Sequence, residues 1–191
     1  MGQDSQLFEY TRGRFLLDES KQMARRRVQF SIDKLASVAA TTVLTLKNVE
    51  MFCMYNKAYI LTMNNGKEVI TKIPNPNANI PYCTTTSEVA TKDFTRNILQ
   101  TPAPHVYTWN VHVDENIPVG AEYIVMEKMP GVPLSKVFDC QKRWTHAKFT
   151  QFRSLYYAKD INSHQPDPLY IRDRESVRDS RFAIGPAVAR E

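Results

Sequence analysis

Three adjoining segments rich in β-forming residues constrain the fold of this chain more than any other feature. They cover residues 43–52, 57–63 and 67–73. The last two are separated by Asn64-Asn65-Gly66, and asparagine and glycine tolerate the positive φ angles of a tight hairpin turn. The sequence therefore predicts three consecutive antiparallel strands.

One helix and two further strands are predicted after this hairpin. The stretch from Pro74 to Pro81 cannot continue a β-ladder, because each proline lacks a backbone N–H. Thr85-Thr86-Ser87-Glu88 then fits a capping box, and apolar residues recur behind it at helical spacing. Residues 105–113 and 122–127 are again rich in β-formers. We therefore expect an α+β fold, with a five-stranded antiparallel sheet and one helix inserted after the third strand.

The two ends of the chain carry weaker signals. Asp18 and Ser31 fit the N-cap positions of two N-terminal helices, the first of which should end near Arg27. A short helix is predicted over residues 134–140. Proline and charge interrupt the stretch from Asn162 to Glu191, so we expect an irregular C-terminal tail.

Composition and charge argue against several classes of function. Of the 191 residues 42% are apolar and 24% are charged, which is typical of a globular protein. The net charge of +5 would suit an anionic ligand, but the dense basic run Arg25-Arg26-Arg27 follows Asp18 and Glu19 and fits a solvated helix face. We therefore expect no nucleic-acid partner. The sequence has no apolar run of ~18 residues and no cysteine pair at metal-ligand spacing, so we expect no membrane partner and no metal site.

Lys72 on the third strand and Glu88 on the following helix are the candidate charge pair of a nucleotide site. A nucleoside triphosphate needs a cation near its α- and β-phosphates, and a long lysine side chain needs an opposite charge to orient it. Asp93 is a second candidate partner for the lysine. Two alternatives stay open: Lys72 is an ordinary strand-end lysine, and Glu88 is the capping residue of its own helix.

Two further segments fit a nucleotide cleft. The fifth strand runs through Met126 and Glu127 to Met129, where the Glu127 carbonyl and the Met129 amide could hold adenine. The alternative is a buried strand followed by a turn. The turn between the first two strands would cover the phosphates, although it lacks the glycines that such turns normally carry. Its central residues are Cys53, Met54, Tyr55 and Asn56, between Phe52 and Lys57.

We predict no catalytic residue in this sequence. His112-Val113-Asp114-Glu115-Asn116 superficially matches the His-x-Asp loop of kinases, but its asparagine follows the aspartate by two positions instead of five. It also precedes the linker, so we expect a strand end and a turn there. His164-Gln165-Pro166-Asp167 has no asparagine at the required distance and no metal-binding aspartate after it.

Several passages resemble the fungal proteins of the aminoglycoside phosphotransferase, kinase-like superfamily, close to the altered inheritance of mitochondria protein 9 group. The matches cover most of residues 8–138 and two later islands, and they include Tyr55-Asn56-Lys57, Lys72-Ile73-Pro74-Asn75-Pro76-Asn77-Ala78 and Arg181-Phe182-Ala183-Ile184-Gly185-Pro186. The resemblance implies a protein-kinase-like fold and phosphoryl transfer from ATP, with Mg²⁺, to a hydroxyl of a small molecule or a protein. It also implies a mitochondrial location; the cytoplasm is the alternative, because the visible N-terminus gives no address.

The sequence departs from the family pattern in three places. Cys53 stands where the family usually has glycine, and residues 139–153 are shorter than the corresponding helical segment. The chain also ends before the family's His-x-Asp loop and metal-binding aspartate, without which phosphoryl transfer falls towards background.

We therefore expect a truncated ATP-dependent phosphotransferase that binds ATP and Mg²⁺ weakly and is inactive alone. Its expected parts are an N-terminal helical extension (1–42), a kinase-like small lobe (43–133) and the start of an incomplete, largely irregular large lobe (134–191). The alternative is a non-catalytic, pseudokinase-type interaction module. The expected partners are a nucleotide and either another protein or the missing large lobe.

Overall fold

The computed structural model describes residues 18–25, 27–43, 46–53, 57–76, 80–113, 119–131, 134–161 and 168–188. These residues form two compact units. The first contains the described residues of Met1–Thr85 and Tyr107–Lys128, and the second contains those of Thr86–Val106 and Met129–Glu191. The sequence predicts different boundaries, at 42/43 and 133/134, between the N-terminal extension, the small lobe and the start of the large lobe. These boundaries stay a prediction.

The described part of the first unit begins with two helices, α1 (Glu19–Arg25) and α2 (Ile32–Val43). The hydroxyl of Ser31 accepts the backbone N–H of Lys34 at 3.3 Å, which confirms the predicted cap of α2. Leu35 and Ala39 recur one turn apart on the buried side of α2. This helix thus supplies one side of the core of the first unit.

The predicted five-stranded antiparallel sheet is confirmed. Its strands are β1 (Leu46–Cys53), β2 (Lys57–Met63), β3 (Glu68–Ile73), β4 (Val106–Asn110) and β5 (Tyr123–Glu127), in the order β1-β2-β3-β5-β4. Gly66 has φ +78° in the hairpin turn between β2 and β3, as the sequence predicts. The turn is closed by the Met63 N–H, which donates to the Lys67 carbonyl at 2.8 Å.

Every second residue of the central strands faces the hydrophobic core. Tyr59, Leu61 and Met63 of β2 alternate with side chains on the other face of the sheet, as a pleated strand requires. They pack with Val69, Ile73, Tyr123 and Val125 of β3 and β5, and with residues of α2. The Phe30 ring lies 5.6 Å from the Tyr59 ring. One face of the sheet is therefore part of the hydrophobic core.

The helix after the third strand is α3 (Cys83–Asp93), which continues directly into a π-helical turn (Phe94–Ile98). The Leu99 N–H donates to the Phe94 carbonyl, five residues back, at 3.1 Å. The second unit then contains α4 (Leu134–His146), longer than the predicted 134–140, and the short helix α5 (Ala158–Ile161). Its strands are β6 (Lys148–Phe149), β7 (Ser154–Tyr157), β8 (Tyr170–Arg172), β9 (Glu175–Val177) and β10 (Phe182–Gly185).

The expectation of an irregular tail is wrong for the described residues 168–188. Strand β10 pairs with β7, and β8 and β9 form a hairpin beside β6. Phe182, Ala183 and Ile184 are buried. Strands β8, β9 and β10 have only three or four residues each, too few for an alternation of buried and exposed side chains to be recognised in the sequence. Their packing comes instead from distant aromatic rings, such as Phe94 at 5.4 Å from Phe182.

Candidate functional site

Lys72 lies on the face of the sheet opposite to the core. Val69, Thr71 and Ile73 of β3 are buried, and they alternate with Ile70 and Lys72, which are only half-buried. Because successive side chains of a strand point to opposite faces, Ile70 and Lys72 share the second face. The strand position predicted for the lysine is therefore the one that the structure shows.

The neighbours of Lys72 on this second face are apolar. In the register of the sheet, Lys72 stands opposite Ala58 of β2 and Ile124 of β5. Ile70 stands opposite Met126 of β5. Side chains directly opposite one another in a sheet lie ~5 Å apart and interact. Ala58 and Ile124 are buried, whereas Ile70 and Met126 are half-buried like Lys72. A small accessible apolar surface therefore lies next to the positive charge and could contact a flat base attached to phosphates.

The predicted adenine segment lies where β5 ends. Glu127 is the last residue of β5 and stands opposite Val69 of β3. Two residues later, at Met129, the chain passes from the first unit to the second. Lys128 donates to the Glu68 carboxylate at 2.6 Å and so ties the end of β5 to the start of β3. The hydrogen-bonding roles of the Glu127 carbonyl and the Met129 amide stay a prediction.

Glu88 is an internal residue of α3, not its cap. The helix begins at Cys83, and the Glu88 carboxylate forms an ion pair with Lys92 one turn later. The alternative that Glu88 caps its own helix is therefore wrong. Glu88 belongs to the second unit, and its predicted pairing with Lys72 stays a prediction.

The start of α3 is held by Glu122, which sequence reasoning missed. The Tyr82 N–H donates to one Glu122 oxygen at 2.9 Å, and the Thr85 hydroxyl donates to the other at 2.6 Å. An acidic group at a helix N-terminus satisfies unpaired N–H groups and favours the helix dipole. Glu122 lies 37 to 40 positions from the residues whose groups it accepts, so no local spacing in the sequence indicates this contact. The sequence instead predicts a local capping box over residues 85–88.

Asp93, the second candidate partner for Lys72, has a structural role within the second unit. One of its oxygens accepts the Tyr157 hydroxyl at 2.8 Å, and the other accepts the Asn97 side-chain amide. Burial, and then this hydrogen bond, raise the pKa of Tyr157. Asp93 is thus already engaged at both carboxylate oxygens.

The predicted phosphate turn is described only at its two edges. Cys53 ends β1 and stands opposite Ala58, whereas Met54, Tyr55 and Asn56 lie outside the described residues. Lys57 begins β2 on the core side and is only 4% exposed. Burial, with a smaller effect of the Arg27 charge, lowers the pKa of Lys57 from 10.5 to about 8. Lys57 therefore faces away from the surface that carries Lys72.

The structure describes only one of the two histidine motifs that superficially match a kinase catalytic loop, and only its first two residues. His112 lies two residues after the end of β4, is exposed, and donates its backbone N–H to the Asn110 side chain at 2.7 Å. This confirms the predicted strand end, while residues 114–116 and 164–167 lie outside the described part. Among the described residues, no three His, Cys, Asp or Glu side chains form a group that could hold a metal ion. None of the helices described there has the length and apolar character that crossing a bilayer requires.

Comparison with known proteins identifies fungal relatives. No family model matches the chain. A subtelomeric hrmA-associated cluster protein of Aspergillus fumigatus is 37% identical over 153 residues, which cover 72% of this chain and 28% of the relative. The altered inheritance of mitochondria protein 9 of Yarrowia lipolytica is 24% identical over 221 residues, which cover 94% of this chain and 38% of that protein. The chain thus spans about 28% of the length of the first relatives that it matches.

A solved structure from Ralstonia eutropha, described as an aminoglycoside phosphotransferase, overlaps part of the chain. The two chains are 18% identical and superpose with a TM-score of 0.39. The superposed part covers 56% of this chain and 30% of the Ralstonia chain. A second altered inheritance of mitochondria protein 9, from Eremothecium gossypii, is 27% identical over 162 residues, which cover 71% of this chain and 26% of that protein. The sequence relatives confirm the predicted kinship with the fungal altered inheritance of mitochondria protein 9 group, to which this chain and the Aspergillus subtelomeric cluster protein are related.

Proposed function

We propose that this chain is a kinase-like nucleotide-binding lobe that holds Mg-ATP weakly and transfers no phosphoryl group on its own. The observation that supports the proposal is the position of Lys72 within the apolar second face of the sheet, between Ala58 and Ile124. An ammonium group beside an apolar surface matches the two ends of a nucleotide, the polyphosphate and the base.

Each predicted group has a specific task in this proposal. The Lys72 ammonium contacts the α- and β-phosphates, and Glu88 orients it. Ile70 and Met126 contact the base, while the Glu127 carbonyl and the Met129 amide bond its edge. The described residues contain no group of three or more His, Cys, Asp or Glu side chains that could hold Mg²⁺, so most of its ligands would be phosphate oxygens and water. We expect low affinity from a site of this kind.

Calorimetric titration with Mg-ATP tests this proposal. We expect a dissociation constant in the range of ~0.1 to 1 mM for the wild type and at least a tenfold loss for Lys72→Ala. Lys34→Ala, which removes an exposed lysine of α2, is the matched control and should leave the affinity unchanged. Equal binding by the wild type and Lys72→Ala would contradict the proposed site. Robust phosphoryl transfer by the isolated chain would contradict the proposed inactivity.

The second candidate function is a non-catalytic interaction module. It is favoured by the large apolar side chains that the second unit exposes: Phe138 is 68% exposed, Trp144 51% and Phe152 fully exposed. Exposed aromatic residues of this size often mark protein contacts. If the wild type does not bind Mg-ATP even at several millimolar nucleotide, this second candidate replaces the first.

We also propose that the protein resides in mitochondria. The Yarrowia and Eremothecium relatives, among others, are named as mitochondrial proteins, which supports the location that the resemblance implies. A fluorescently tagged form of the full gene product should co-localise with a matrix or inner-membrane marker in the host fungus. A diffuse cytoplasmic signal would favour the alternative location.

A further inference from the structure

A cavity of about 510 Å³ lies entirely within the second unit. None of the residues predicted to contact nucleotide lines it. Small-molecule sites in proteins commonly have volumes of ~300 to 1,000 Å³ and mainly apolar walls with a few polar groups. The apolar part of this wall comes from Phe94, Leu99, Trp144, Phe149, Leu155 and Ile184.

Aromatic rings form a fixed side of the cavity. The Phe94 ring lies 5.4 Å from Phe149, which also lines the cavity. Behind Phe94, the rings of Tyr170 and Phe182 meet it edge to face at 5.5 and 5.4 Å. These are the distances and orientations that aromatic pairs prefer, so Phe94 is held in one position.

Hydrogen bonds hold a second part of the wall. Arg143 near the end of α4 donates to the Gln100 carbonyl, and the Trp144 indole N–H points to the Thr101 hydroxyl at 3.4 Å. The polar edge of the indole is therefore directed into the protein, while the side chain lines the cavity. An aromatic side chain restrained in this way presents a preformed surface to a ligand.

The segment after β10 closes a third part. The Val188 N–H donates to the Ser154 hydroxyl at 3.1 Å, and both residues line the cavity. The Tyr156 hydroxyl donates to the Pro186 carbonyl at 2.9 Å. These two bonds fix the segment against β7, so this side of the cavity too exists before any ligand binds.

Arg153 is the charged residue in the lining of this cavity. It is exposed, and it has no hydrogen bond or ion pair with any of the described residues. The hydroxyl-bearing residues Ser87 and Thr91 of α3 add polar groups one turn apart. A guanidinium group matches the geometry of a carboxylate and can donate two hydrogen bonds to it.

We propose that this cavity binds a small aromatic carboxylate, whose ring lies against Phe94, Trp144 and Phe149 and whose carboxylate pairs with Arg153. The aromatic walls select a flat apolar body. The guanidinium group selects a negative charge at the rim. This inference does not depend on the proposed nucleotide site, because the two share no residue.

Two probes with the same ring test the proposal on the full chain: 2-naphthoate and its uncharged analogue 2-naphthylmethanol. Titration followed by ¹H–¹⁵N NMR should show both binding, with naphthoate about fivefold tighter in the wild type. Arg153→Gln should remove that preference and leave the binding of the alcohol unchanged. Arg172→Gln, which removes an exposed arginine of β8 outside the cavity, is the matched control and should keep the preference.

A filling variant tests the location. Thr91 lines the cavity and is exposed on α3, so Thr91→Trp should occupy the space with little cost to the fold and should abolish the binding of both probes. Thermal unfolding verifies that the variant is folded. Lys72→Ala should leave naphthoate binding unchanged, which separates this inference from the nucleotide proposal. The proposal fails if naphthoate does not bind at millimolar concentration, if Arg153→Gln weakens both probes equally, or if Thr91→Trp has no effect.

Discussion

Replacing Lys57 with methionine should stabilise the protein at neutral pH and reduce the pH dependence of its stability. Lys57 is buried on the core side of the sheet, and its pKa falls from 10.5 to about 8. A lysine whose pKa is lower in the folded state than in the unfolded state binds its proton more tightly when the protein is unfolded. Protonation of Lys57 therefore lowers the free energy of unfolding. The penalty is complete below about pH 8 and fades as the pH rises towards 10.5.

The size of this effect follows from the pKa change. The difference between 10.5 and about 8, at ~1.36 kcal/mol per pH unit, corresponds to a penalty of about 3 kcal/mol at pH 7. The same two pKa values leave about 1.4 kcal/mol at about pH 9.5. Lys57→Met should therefore exceed the wild type in free energy of unfolding at pH 7, and this excess should shrink by about 2 kcal/mol at the higher pH.

Urea unfolding followed by circular dichroism, at about pH 7 and about pH 9.5, measures this difference. The tyrosines that titrate at high pH are present in both proteins, so their effect cancels in the comparison. Lys34→Met, which removes an exposed lysine of α2, controls for the loss of one positive charge. If the excess stability of Lys57→Met is the same at both pH values, Lys57 keeps its proton on folding without penalty, and our reasoning about its burial is wrong.

Three further predictions concern stability and can be measured by the same urea titrations. Glu122→Gln removes the charged acceptor at the start of α3 and should lower the free energy of unfolding by about 1 kcal/mol; no change would mean that water satisfies those donors equally well. Tyr157→Phe removes the hydroxyl bonded to Asp93 and should cost about 1 to 2 kcal/mol, whereas a neutral result would show that this bond adds nothing net. A Cβ at Gly185 would lie 2.7 Å from a tyrosine ring, so Gly185→Ala should cost about 1 to 3 kcal/mol, while Gly131→Ala, with nothing within 4 Å, is the control; equal costs would contradict the packing argument.

The sheet could be predicted from the sequence because its signals are local. The Asn-Asn-Gly turn sets the register of β2 and β3, and the observed bounds Lys57–Met63 are those that the sequence predicts. Strands β8 to β10 could not be predicted, because each is three or four residues long and is stabilised by side chains from distant segments. A pattern of alternation needs more residues than these strands contain.

The candidate site could be predicted only in part for the same reason. The strand position of Lys72 follows from alternation along β3, which the sequence displays. The cap at Glu122 depends on a contact across about 40 positions, and the burial of Lys57 depends on which face of β2 meets the core. Neither the spacing nor the type of these residues indicates such a contact, so the sequence predicts Lys57 only as the strand residue after the phosphate turn, and a local capping box over residues 85–88 in place of the cap by Glu122.

The π-helical turn from Phe94 to Ile98 lets the chain hold one extra residue without changing the direction of the residues that follow. Each residue of an α-helix adds about 100° of rotation around the helix axis, and a π-turn accommodates one residue more than the α-helical turn that it replaces. In a regular helix, an added residue would rotate Leu99 by that angle, out of the buried cluster that it shares with Phe94. Deleting one residue of this turn would therefore give a regular α-helix and leave Leu99 in the cluster.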